Sequence, residues 1–206
     1  MPFFAQFQNN LFRFLLPACA TLVALASFAL AYLLVEGTIL KIATVASALV
    51  VLFVLIAAER KNQAGVTAWA HALRPAALLA VVFVLASSGA AITTFLRVPP
   101  TLTGGALLIP FALLSLADTH FGHGMRTRPI QDALLIALLA VMIIITLLAL
   151  PLTFSAVGAI TTVVVGALRE VASHLDRGVL TTRFGLGVLG AVGGIMAVLI
   201  GSSKWS

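Results

Sequence analysis

Charge is what this chain has least of. Twelve basic and six acidic side chains make up 9% of its 206 residues, against 62% hydrophobic. A soluble domain carries roughly 25% charged residues, so this chain has too few to coat a water-facing surface. Cysteine is nearly missing as well. Cys19 stands alone, which excludes an internal disulfide and any multi-cysteine metal site. There is no basic block either: the Lys and Arg residues stand singly or in pairs, so the net charge of +6 is no nucleic-acid footprint, and nucleic acid is not expected as a partner. Nor does any ionisable residue lie near the middle of a long apolar run, where ion-coupled carriers keep their coupling group. All four histidines, His71, His120, His123 and His174, fall in what reads as loops. That leaves nothing at membrane depth to hold haem or to activate Ser87 or Ser88. No cofactor and no catalytic residue is implied.

What remains is a chain of long apolar runs with a mean hydropathy of +1.19. The runs are uniformly apolar and do not alternate, which favours spanning helices over a β-barrel. A hydrocarbon core of ~30 Å needs about 20 helical residues, with ~17 as the practical minimum. Seven spans satisfy that: Leu11–Val35, Thr38–Ala58, Pro75–Leu96, Thr101–Ala117, Pro129–Leu150, Leu152–Leu168 and Val179–Ile200. The fold expected is an all-α polytopic bundle, residues 1–206 as one membrane domain, kinked where Pro110 interrupts the fourth span. Leu16-Pro17-Ala18-Cys19 and Ala29-Leu30-Ala31 have the look of processing sites. Most of the first apolar stretch follows the cysteine, however, so a retained helix is expected. Ahead of it, Phe3, Phe4, Phe7, Leu11, Phe14 and Leu15 share one helical arc, opposite Gln6, Asn9, Asn10 and Arg13. Residues 1–15 therefore read as an interfacial amphipathic helix.

Basic residues orient the bundle. One side receives Arg13, Arg60, Lys61, Arg74, Arg126, Arg128, Arg169, Arg177 and Arg183, and the other only Lys41, Arg97 and Lys204. This places the N-terminus in the cytoplasm and the C-terminus outside. The abundance of Arg over Lys and of Ala suggests a bacterial cytoplasmic (inner) membrane.

Spans three and four look like spans five and six. Each pair opens with Arg-Pro (Arg74-Pro75, Arg128-Pro129), turns at a proline with hydroxyl residues after it, and reaches an acid, Asp118 or Glu170, seventeen positions after Thr101 or Thr153. A two-span unit keeps its orientation when copied, so this reads as a parallel repeat; any tight hairpin in lipid would also favour Pro and Thr at its turn.

Two places carry candidate function. The segment from Asp118 to Asp132 is the densest polar one, and Asp118, His120 and His123 are metal-ligand or acid–base types. Arg126 and Arg128 suit lipid headgroups, and a plain solvated loop is the simpler alternative. In the last span Gly187, Gly190, Gly194, Ala197 and Gly201 share one face, the pattern that lets helix backbones approach closely. The neighbour is expected within the same bundle or in another subunit, with Leu189 and Val192 on the opposite, looser face. Together these features suggest a non-catalytic integral membrane subunit or scaffold, whose partners are membrane lipids and other membrane subunits. Two alternatives remain: a channel or carrier for a small neutral solute or lipid, using Ser87, Ser88, Thr93, Thr94, Thr161 and Thr162, and a lipid-modifying enzyme using the Asp118–Asp132 segment.

Overall fold

The computed structural model describes residues 2–59, 66–122, 129–150, 152–176 and 182–202. Over residues 2–14 and at several helix ends this description is of the backbone. All secondary structure among the described residues is helical: α1 (Pro2–Leu34), α2 (Thr38–Glu59), α3 (Val66–Leu96), α4 (Pro100–Gly122), α5 (Pro129–Leu148), α6 (Phe154–Asp176) and α7 (Thr182–Ser202). The first six are long and apolar enough to cross a membrane; in α7 the apolar stretch among the described side chains is Gly185–Val198.

Several boundaries differ from the sequence reading, each for a local reason. The segment expected as an interfacial helix is helical and continuous with the first span, α1 running unbroken from Pro2 through Pro17 to Leu34. Pro75 does not open α3, which starts at Val66 and carries the proline inside. Conversely, α6 runs past Leu168 to Asp176. Its last turns are polar but helical, and there His174 Nε2 lies 3.3 Å from Glu170 Oε1 one turn earlier, a spacing that stabilises a helix. His71, His120 and His174 thus belong to helices rather than loops.

Three short turns close one end of the bundle. At Gly37 the chain takes φ +99°, where a Cβ would be strained, and the Gly37 carbonyl accepts the first backbone bond of α2 from Lys41 N–H. Lys41 Nζ also stands 5.3 Å from the centre of the Tyr32 ring, a cation–π contact joining α1 to α2. Arg97, at φ +53°, reverses the chain between α3 and α4, and there the hydroxyls of Thr93 and Thr103 are hydrogen-bonded at 2.8 Å. Thr153 begins α6, its Oγ1 accepting the Ala156 N–H at 3.3 Å, as an N-cap residue does.

Helices α3, α4, α5 and α6 form a ring: α3 packs most extensively on α6 and α4 on α5, and each hairpin closes on itself less broadly. Helix α1 lies against α2, α3 and α4, α2 covers α3, and α7 touches α6. The interior is mostly apolar, with Phe111, Ile144, Val157 and Ile160 fully buried beside the hydroxyl of Thr161.

Candidate functional site

Helix α7 is the element whose position differs most from expectation. Its half-buried positions are Gly185, Val188, Val192 and Met196, one turn apart, and Met196 packs onto the cluster of Ala90, Leu147, Val157 and Ile160. Branched and long side chains make the contact with α6 because they fill the gap between two helix backbones. The small residues are turned away. Gly187, Gly190, Gly194, Ala197 and Gly201 are all exposed, and a Cβ built on Gly187, Gly190, Gly194 or Gly201 would meet nothing within 4 Å. Packing of this stripe inside its own bundle is therefore not what the fold contains. Val192 likewise moves from the outer to the bundle-facing side, while Leu189, 70% exposed, stays outside as expected.

The threonine hydroxyls of α3 and α6 turn onto their own helices. Thr94, Thr161 and Thr162 donate to the carbonyls of Ala90, Val157 and Gly158 at 2.8–2.9 Å, and Thr93 lies 3.0 Å from the Gly89 carbonyl. A hydroxyl committed to the i−4 carbonyl offers little to a passing solute. Ser87 differs. Its Oγ is buried with no hydrogen-bond partner among the described residues, because it faces Gly158 across the α3–α6 crossing. A Cβ on Gly158 would overlap Ser87 Oγ and stand 2.9 Å from the Phe83 carbonyl oxygen. At this position nothing larger than a hydrogen fits between the two helices.

Arg74 stands at a span boundary, where basic residues orient the bundle, and the structure gives it a further role. It is only 6% exposed and its Nη2 donates to the Ala117 carbonyl at 3.3 Å, tying α3 to the last turns of α4, where a cation also complements the helix dipole. Arg-Pro at a span boundary was the one available signal, and it marks the position without revealing burial. Arg74, Asp132, Arg169, Ser173 and His174 all make further polar contacts. The side chains of Asp118, His120, His123, Arg126 and Arg128 lie outside the described residues. Asp118 and His120 occupy backbone positions on α4, so the helix continues through Gly122. Among the described residues no three His, Cys, Asp or Glu side chains come together as metal ligands would.

Comparison with protein-family models, with curated proteins and with solved structures finds no match to this chain.

Proposed function

We propose that this protein is a non-catalytic integral membrane subunit that joins a larger assembly through the glycine face of α7. One observation carries the reading: the face of α7 best suited to close helix contact is the face its own bundle leaves open. Glycine inside a helix costs about 1 kcal/mol relative to alanine, and close approach of a second backbone is what offsets that in lipid. The mostly apolar interior of the ring and hydroxyls bonded within their own helices favour a subunit over a carrier of neutral solute. In this reading the N-terminus is cytoplasmic, the C-terminus is outside, and the membrane is a bacterial inner membrane.

The deciding experiment is purification in mild detergent with Gly190→Leu and Gly194→Leu. The expected result is a monodisperse protein that has shed a membrane partner held by the wild type. If both variants keep the wild-type elution and the same companions, α7 faces lipid and the reading fails. Orientation is checked separately: cysteines at Asn62 and Thr127 are expected to react from the cytoplasmic side only, and one at Ser203 from outside only.

A further inference from the structure

We infer that α3–α4 and α5–α6 are two copies of one hairpin unit, with each residue of the first equivalent to the residue 54 positions later in the second, related by a pseudo-two-fold axis running along the helices. Helix α6 begins at Phe154, 54 positions after α4 begins at Pro100. The same shift superposes Arg74-Pro75 on Arg128-Pro129, Ala86 on Ala140, Gly104 on Gly158 and His120 on His174. It differs by two from the register that Thr101 and Thr153 suggest, and replaces the pairing of Asp118 with Glu170 by that of the two histidines.

Burial follows the shift on the second helices and at three positions of the first, where other positions differ: Phe83 is 37% exposed and its counterpart Ala137 is fully buried. On the first helices Val82, Ala86 and Ala90 are buried, as are Ile136, Ala140 and Ile144. On the second helices Thr103, Leu107 and Phe111 are buried, as are Val157, Thr161 and Val165. One close neighbour of each glycine matches too, although Ile145 comes nearer still to Gly104. A Cβ on Gly104 would stand 3.1 Å from Val141 Cγ1, and one on Gly158 would overlap Ser87 Oγ; Ser87 and Val141 are themselves one repeat apart. Exchanging the hairpins turns the α3–α6 contact into the α5–α4 contact, the two broadest in the ring, and turns α3–α4 into α5–α6. Two arbitrary hairpins in lipid would share proline turns, but not a glycine seated at the same register on the other copy.

The copies have unequal surroundings. Helices α1 and α2 cover α3, so Val81 is fully buried, while its counterpart Leu135 is 56% exposed.

Cysteine cross-linking in a Cys19→Ser background tests the map. Gly166 lies against Leu79, a Cβ there standing 3.6 Å from Leu79 Cδ1, and the shift carries that pair onto Ala112 and Ala133. Disulfides are expected in membranes from both Leu79→Cys/Gly166→Cys and Ala112→Cys/Ala133→Cys. Should any of these four substitutions prevent insertion, the pairs Phe83→Cys/Thr162→Cys and Leu108→Cys/Ala137→Cys, one turn away and again one shift apart, serve in their place. Cross-linking of both pairs supports the two-copy arrangement, and failure of either inserted pair overturns it.

Discussion

Gly158 and Ser87 touch at the crossing of α6 and α3 with no room between them for a methyl group. Part of the obstacle is the Phe83 carbonyl oxygen, 2.9 Å from where a Cβ on Gly158 would sit, and a backbone atom does not rotate away. Gly158→Ala is therefore expected to destabilise the fold by about 1–3 kcal/mol, the usual range for overpacking, read as a lower melting temperature in detergent. Unchanged melting would mean that α3 and α6 cross elsewhere.

Gly104 is the informative contrast. What a Cβ would meet there is side chain only: Ile145 Cδ1 at 2.7 Å and Cγ1 at 2.9 Å, and Val141 Cγ1 at 3.1 Å. Side-chain ends can change rotamer, so Gly104→Ala is expected to cost less than Gly158→Ala, under about 1 kcal/mol. An equal or larger loss at Gly104 would show that Ile145 is locked.

Ser87 offers a change that improves the protein. Its buried hydroxyl has no partner among the described residues, and an unmet buried hydroxyl costs about 1–3 kcal/mol. Ser87→Ala is expected to leave stability unchanged or raise it; a clear drop in melting temperature would reveal a hydrogen bond that the hydroxyl makes in the membrane.

Arg74 is expected to respond in the opposite sense. Arg74→Gln removes a charged donor from the Ala117 carbonyl, and hydrogen bonds to charged groups are worth about 1.5–3 kcal/mol. The measurement is again thermal melting, with Arg74→Lys recovering part of the loss. Wild-type melting of the Gln variant would show that burial of the guanidinium contributes nothing.

Tryptophan substitutions probe the unequal cover of the two hairpins. Val81→Trp, beneath α1 and α2, is expected to block folding, whereas Leu135→Trp places a large apolar group at an open surface and should be accepted. Equal damage at both would mean that a helix covers α5 in the assembled protein.

Much of the architecture is legible without coordinates. Uniform apolar runs of spanning length, scarce charge and proline-marked turns specify a helical membrane bundle, because an unpaired backbone amide in lipid costs several kcal/mol and helices satisfy their amides locally. The glycine stripe of α7 was legible for the same reason, as a periodicity along one helix. Which way the stripe points was not: the composition of a helix face does not say which neighbour the rest of the chain leaves beside it, and Val188, Val192 and Met196 took the contact with α6. The burial of Arg74 and the meeting of Gly158 with Ser87 also came only with the tertiary structure. Both depend on the level at which two distant helices cross, and that level is set by the packing of the whole ring rather than by any local pattern.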